Sequence, residues 1–478
     1  MTPTPPESSV LHLPIAVVGH TNTGKTSLLR TLTRNRNFGE VQASPGTTRH
    51  VEGVRIDLSP LGQLLLYDTP GIEDSMALLD YIDRLIESDH RIEGPERIRR
   101  FLDSAEARGR FEQEARVLTQ LMQSEAALYV IDVRDPVLTK HRDELRILSW
   151  CGKPVLPVMN FLRHQPSRIE EWHSALADLG LHVQTQFDTV APALDGELQL
   201  YQKLALLLEA KYGQLLAYLG TRLRQQRAQR LADAKQLLAE LLIDVAAWQE
   251  SCSAQPDELA AAVAQMQALV RDREQRCVEA VLQRYQFSTE DYLPLDIDAV
   301  DYRWGTDLFH PEALKQLGIQ VSKGAATGAL AGATFDLLTA GLSLGAGTLV
   351  GATVGGVWQG MNQWGQKIMQ KWRGHADLSV GDEVLRALAL RQLALIHALE
   401  HRGHAAQEPI QLRSLGAPPT KPLDYDWRTD PLPPVLVQAR HHPHWSALLY
   451  PGVESAPRQA AIMALARQLH TYDSVATN

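Results

Sequence analysis

Eight residues near the amino terminus restrict the fold more than any other feature of this chain. Gly19-His20-Thr21-Asn22-Thr23-Gly24-Lys25-Thr26 satisfies G-x-x-x-x-G-K-[ST]; it follows the apolar run LPIAVVG and opens KTSLLRTL, where Leu28, Leu29 and Leu32 share one helical face. Strand, glycine-bearing loop and helix in that order form a phosphate cradle. The loop N–H groups and the positive helix end wrap a di- or triphosphate, Lys25 reaches its outer phosphates, and the Thr26 hydroxyl ligates magnesium. Gly19, Asn22, Thr23, Gly24, Lys25, Thr26 and Ser27 are therefore the candidate ligand-holding residues of this loop.

Downstream, buried-strand patterns recur at QLLLYD (63–68), AALYVIDV (126–133), KPVLPVMN (153–160) and HVQTQFDTV (182–190), with helical stretches between them. This alternation predicts an α/β domain with a mostly parallel sheet, helices on both faces, and a ligand beyond the carboxyl ends of the strands. Residues 72–124 are too long for one connection, and read as inserted helices. Asp68-Thr69-Pro70-Gly71 ends a strand, so Asp68 can hold magnesium through water and the Gly71 N–H can sense a γ-phosphate. In the polar loop Ser44-Pro45-Gly46-Thr47-Thr48-Arg49, Thr48, with Thr47 second, is the hydroxyl expected on magnesium when that phosphate is present. Lys25, Thr48 and Gly71 are the residues expected to act in catalysis.

GHTNTGKTS, PGTTR and DTPG resemble the first three motifs of Era-like GTPases, the group that includes tRNA-modification and ribosome-assembly GTPases, over roughly residues 13–208. The resemblance implies GTP and GDP as ligands, Mg2+ as cofactor, and a K+ ion held through Asn22. Ile72 stands where Ras-like proteins carry a glutamine that orients water, which an isoleucine cannot do; turnover without help is expected to be slow. The fourth motif departs from the family. Asn160-Phe161-Leu162-Arg163 keeps the asparagine that contacts the base but replaces by Arg163 the aspartate that accepts the guanine N1–H and N2–H2 protons, and a guanidinium only donates. FDTVAP occupies the place of the fifth motif, where Asp188 either supplies the missing carboxylate or serves as a turn residue. The whole chain is also similar to a bacterial group in which such a domain precedes a C-terminal domain of unknown function, through the runs RFEQEARVL, YVIDVRDPVL, PVLPVMNF and RQLALIHALEHRGHAA and the glycine segment.

Strand signals stop after about Gly196, and the remainder reads as mainly α-helical. The expected divisions are a disordered segment 1–11, a P-loop domain 12–208, a helical hairpin and connector 209–310, a glycine-rich helical hairpin 311–375 and a helical region 376–478. Of 32 glycines, eleven lie between Gly324 and Gly365, many four residues apart, a spacing that lets two helices approach closely. The thirty residues Leu337 to Gln366 carry no charge, enough for one membrane crossing or a re-entrant hairpin. Their Gly, Ala and Thr content also suits a tightly packed soluble glycine zipper. A membrane surface or membrane protein is thus one expected partner, and a nucleotide-dependent dimer another.

Net charge is −9, which argues against coating nucleic acid, although Arg222, Arg224, Arg227 and Arg230 crowd one helical stretch where lipid headgroups or RNA could bind. Three cysteines without a C-x-x-C pair and an amino terminus without a charged-then-apolar start suit a cytoplasmic protein, with association at the inner face of the cell membrane left open. The functional expectation is a slow GTPase switch acting on its helical C-terminal part. The alternatives are a membrane-bound, nucleotide-gated scaffold and a GTPase of RNA modification or ribosome assembly.

Overall fold

The computed structural model describes residues 11–35, 38, 51–85, 92–163, 167–253, 255–288, 308–310, 314–315, 317–319, 333–337, 375–406, 410, 425–449 and 454–469. Residues 44–49, with Thr47 and Thr48, and most of 311–375 lie outside these. The chain divides into two compact units, Met1–Arg227 with His401–Gln407, and Ala228–Glu400 with Glu408–Asn478.

In the first unit a six-stranded sheet runs in the order β2-β3-β1-β4-β5-β6. Its strands are β1 (Leu11–Val18), β2 (Glu52–Leu58), β3 (Gly62–Asp68), β4 (Ala126–Asp132), β5 (Val155–Asn160) and β6 (Thr185–Gln186). All neighbours are parallel except β2, which pairs antiparallel with β3 at the edge. Alternation along β1 explains the two-sided core. Leu13, Ile15 and Val17 face α1 (Lys25–Thr33) and the early turns of α7 (Gly196–Ala247), whereas Ala16 and Val18 face a second cluster with residues of α2 (Ser75–Leu85), α3 (Gly94–Asp103), α4 (Glu112–Gln123) and α5 (Thr139–Trp150). Every residue of β4 is buried, which is why AALYVID reads as an unbroken apolar run. The inserted helices α2, α3 and α4 lie between β3 and β4, and α6 (Ile169–Asp178) separates β5 from β6. Cys151 is a buried core residue whose thiol burial pushes up to about 12. α7 loses helical φ/ψ at Leu208, where the sequence suggests a boundary.

Helices dominate the second unit, as expected: the later part of α7, then α8 (Pro256–Arg284), α9 (Asp382–Glu400), α10 (Pro434–Ala439) and α11 (Ala456–Gln468). α9 is apolar on nearly every side, and thirteen of its residues are buried, which marks it as the central helix of the core. The expectation that strands end after Gly196 is overturned by a three-stranded antiparallel sheet of β7 (Gln249–Ser253), β9 (His375–Val380) and β8 (Ala333–Leu337), with β9 central. β8 falls inside the glycine-rich segment, so those five residues are extended where helix was expected; Thr334, Phe335 and Leu337 suit a strand better than the flanking glycines suit a helix. Buried Asp244 binds Arg273 at 2.8 Å and Arg458 at 2.6 Å, joining α7, α8 and α11. Among the described residues no helix is long and apolar enough to cross a membrane.

Candidate functional site

Parallel strands deliver their following loops to one end of the sheet, and there the loops after β1, β3 and β5 converge. Three positive φ values bend the first loop, at Gly19 (141°), Asn22 (64°) and Gly24 (95°). Gly24 caps α1 in the left-handed region, which glycine tolerates and which turns the first N–H groups of α1 toward the loop. Lys25 arches back over the loop, donating from Nζ to the carbonyls of Gly19 at 3.0 Å and His20 at 2.8 Å. Burial draws its pKa below the ordinary lysine range, against the opposing pull of Asp68 and Glu144. Thr23 is buried with its hydroxyl on His20 O, Ser27 is half-buried, and Asn22 is exposed at the tip.

Thr26 Oγ1 donates to Asp68 Oδ2 at 2.5 Å. Asp68 is 1% exposed, its Oδ1 has no hydrogen-bond partner, and burial pushes its carboxyl up to about 6. A buried orphan carboxylate oxygen beside a hydroxyl is what a hard divalent cation needs, so these two residues fit magnesium. Beneath the loop, Glu144 is 1% exposed; burial raises its pKa, and Tyr129 donates to its Oε2 at 3.1 Å.

The segment after Asp68 is gripped from two sides. Gly71 lies so close to the phosphate loop that a Cβ there would sit 2.7 Å from Thr21 N. His20 Nδ1 donates to Ile72 O at 2.8 Å, and His20 Nε2 accepts from Lys140 at 2.8 Å, which fixes a neutral tautomer in accord with its lowered pKa. On the other side α4 supplies Gln113, whose Nε2 donates to Gly71 O at 2.7 Å, and Glu114, whose Oε1 accepts the N–H groups of Glu73 and Asp74 at 3.4 Å. Ile72 is buried, so its side chain faces the core and no water.

Asn160 ends β5 with no exposure at all. Its Nδ2 donates to Thr23 O at 3.0 Å, and its Oδ1 accepts from Phe161 N and Thr189 N, each at 2.9 Å. One amide thus ties together the phosphate loop, the loop after β5 and the loop after β6. Asp188 behaves as the turn residue: its Oδ1 accepts from Val190 N at 3.0 Å and Ala191 N at 3.1 Å, and its Oδ2 from Arg163 N at 3.4 Å. Phe161, at φ 61°, carries the Arg134 guanidinium 4.0 Å above its ring centre.

A distant stretch completes this corner of the first unit. Gly403 N donates to Val190 O at 2.9 Å, and a Cβ at Gly403 would overlap the Thr189 carbonyl, so only glycine fits. That same carbonyl accepts the Thr31 hydroxyl of α1 at 2.8 Å.

The structure therefore gathers Gly19, Asn22, Thr23, Gly24, Lys25, Thr26, Ser27, Asp68, Gly71 and Asn160 at one end of the sheet; Thr48 lies outside the described residues. Reading the sequence missed His20, Gln113, Glu114, Lys140, Phe161 and Gly403. Of these, His20 falls in GHTNTGKTS, and Gln113, Glu114, Phe161 and Gly403 fall in the runs shared with the bacterial two-domain group, whereas Lys140 falls in none. Two of the clustered arginines are consumed locally, Arg222 on Asp57 O at 2.6 Å and Arg227 on Leu194 O at 3.2 Å. Among the described residues no group of three His, Cys, Asp or Glu is placed to hold a metal.

Comparison with known proteins agrees with this geometry. Residues 14–161 match the family described as 50S ribosome-binding GTPase, and residues 173–467 match the family described as domain of unknown function DUF3482. No curated protein matches the chain. Among solved structures, Era in complex with MgGDPNP and a 16S ribosomal RNA segment aligns at 15% identity and TM-score 0.30, over 44% of this chain and 57% of that one. Thus the chain spans little more than half of that Era chain. An Aquifex aeolicus Era variant bound to GDP and aluminium fluoride aligns at 15% identity and TM-score 0.28, over 56% and 89%. The G domain of the T. maritima FeoB iron transporter aligns at 18% and 0.23, over 41% and 99%. Identities and scores this low leave the assignment to the family matches and the site. The chain belongs to the DUF3482 family and carries at its amino terminus an Era-like P-loop GTPase domain.

Proposed function

We propose that the chain is a slow GTPase switch whose nucleotide state is passed through the inserted helices to its own C-terminal part. The observation that supports this most is the double grip on residues 71–74. Gly71 packs closely against Thr21 and the Ile72 carbonyl accepts from His20, while the carbonyl of Gly71 and the N–H groups of Glu73 and Asp74 are held to α4 through Gln113 and Glu114. A γ-phosphate beside Thr21 would accept from the Gly71 N–H, and any shift of Gly71 loads Gln113 directly.

In this reading Lys25 leaves its two loop carbonyls to pair with the outer phosphates, and the α1 N-terminus neutralises further charge. Bound magnesium supplies charge neutralisation on the phosphate oxygens; Thr26 and Asp68 would hold it, joined by Thr48. Asn22 is the residue for a potassium ion. With Ile72 buried, water orientation falls to other groups, and turnover without a partner is slow. Asn160 keeps the loops in register beside the base. The protein would work in the cytoplasm, and the membrane-facing role of the glycine segment stands as the proposal its composition motivates. The RNA-binding reading draws on relatives described as ribosome-binding or bound to RNA, but Arg222 and Arg227 are already spent on carbonyls.

Hydrogen exchange of the full chain with GDP and with a non-hydrolysable GTP analogue tests the switch. Protection of 112–123 should differ between the two states, and Gln113→Ala should erase the difference while leaving GTP binding intact. Identical protection in both states would refute the relay. Lys25→Ala should abolish nucleotide binding.

A further inference from the structure

Thr21, the third residue of the phosphate loop, carries a hydroxyl that the loop's own bonding does not use. Around it, Thr23 donates to His20 O, both ring nitrogens of His20 are engaged, Thr26 donates to Asp68, and Lys25 donates to the Gly19 and His20 carbonyls. Thr21 Oγ1 is buried and has no hydrogen-bond partner. A hydroxyl left in that state costs stability, and a valine would fill the same space without that cost, so packing does not account for the threonine. Phosphate cradling does not call for it either. The pattern G-x-x-x-x-G-K-[ST] leaves the third position open, and backbone N–H groups wrap the phosphates.

Where the hydroxyl points is fixed by Gly71. A Cβ on Gly71 would overlap Thr21 Oγ1, so the hydroxyl lies against the backbone of the residue whose N–H is expected to meet a γ-phosphate. Its neighbours at this corner are committed elsewhere: Ile72 is buried in the core, Gln113 donates to Gly71 O, and Glu114 Oε1 accepts from Glu73 and Asp74. A threonine hydroxyl has one proton to donate and two lone pairs, so it can accept from a water and donate to a phosphate oxygen at once. We infer that Thr21 is a catalytic residue whose hydroxyl holds the attacking water against the γ-phosphate, the task that Ile72 cannot perform. This rests on the GTPase reading above and names the water-orienting group within it. In the step itself the water oxygen bonds to the γ-phosphorus as the bond from that phosphorus to the β–γ bridging oxygen breaks. GDP leaves with the electron pair, a proton passes from the water to a γ-phosphate oxygen to give dihydrogen phosphate, and Thr21 is unchanged. A neutral hydroxyl orients water without acting as a strong base, which agrees with slow turnover.

Single-turnover hydrolysis of GTP by the full-length protein with magnesium and potassium tests it, alongside calorimetric affinities for GDP, a non-hydrolysable GTP analogue and GDP with aluminium fluoride. Thr21→Val should hydrolyse GTP about a hundredfold more slowly and lose affinity for the aluminium fluoride complex, which mimics the transition state, in the same proportion. Its affinities for GDP and the analogue should stay within about threefold of the unaltered protein, and Thr21→Ser should stay within about threefold on every count. A Thr21→Val protein, folded by circular dichroism, that hydrolyses GTP at the unaltered rate would overturn the inference alone. Equal losses for the analogue and the aluminium fluoride complex, or a Thr21→Ser protein as slow as Thr21→Val, would do the same. Failure of the unaltered protein to bind or hydrolyse GTP would overturn the GTPase reading and this inference together.

Discussion

Replacing Asp68 by asparagine should make the nucleotide-free protein more stable while removing the carboxylate that would hold magnesium. Asp68 is buried at the end of β3, accepts one hydroxyl on Oδ2 and leaves Oδ1 without a partner. Burial raises its carboxyl from 3.8 to about 6. That displacement of about two pH units corresponds to about 3 kcal/mol between the folded and unfolded chains. Its sign is unfavourable to folding. Below about pH 4 the group is neutral in both states and nothing is lost. As pH rises through about 4 to 6 the unfolded chain ionises first, binds fewer protons than the folded one, and stability falls; above about 6 the full cost is present. An asparagine oxygen still accepts from Thr26 but carries no charge. Asp68→Asn should therefore stabilise the first unit by about 1–3 kcal/mol at pH 8, at about 2–4 °C per kcal/mol, and the gain should fade by about pH 4. Scanning calorimetry of magnesium- and nucleotide-free protein at the two pH values measures this. An equal gain at both pH values, or none at pH 8, would refute the assignment of Asp68 as a carboxylate held in deficit for a cation.

Gly403→Ala drives a methyl group into the Thr189 carbonyl and strains the bond to Val190; about 1–3 kcal/mol should be lost from the first unit in urea unfolding, with faster release of nucleotide as the Asn160 anchor loosens. Asp244→Ala leaves Arg273 and Arg458 buried without their shared acceptor, which should cost the second unit about 3–5 kcal/mol while GTP affinity stays unchanged. A calorimetric trace in which both transitions fell together would contradict that separation.

The phosphate loop was legible because its chemistry dictates its spelling: glycines where φ is positive, an apolar run before, a helical face after. Asp68 followed from the Asp68-Thr69-Pro70-Gly71 motif at the end of an apolar strand run. Other parts were hidden for identifiable reasons. β2 is a half-exposed edge strand whose Val54, Ile56 and Leu58 alternate weakly against Arg55 and Asp57, a period-two signal easily passed over. β7, QESCS, has no apolar side to announce it and depends on β9 for its pairing. Of the expected strand 182–190 only Thr185–Gln186 forms, because the turn built on Asp188 takes the backbone that follows. Asn160 was found by its position in a motif, but that its amide joins three loops depends on contacts with Thr23 and Thr189, which no local pattern encodes. Gly403, just past the end of α9, has the sequence appearance of an ordinary helix stop, whereas its smallness answers to a carbonyl more than two hundred residues earlier in the chain.

The strap at 401–406 also sets a timetable for biosynthesis. The phosphate-binding unit is discontinuous in sequence, with its last piece emerging from the ribosome only after the whole stretch 228–400 has been made. At roughly 5–20 residues per second that interval lasts on the order of ten seconds or more, during which the Thr189 loop lacks its Gly403 partner. A nascent chain would therefore acquire its full grip on nucleotide late, once the second unit has been synthesised, and a shortened form ending within α7 would keep every phosphate-loop residue yet never close that corner.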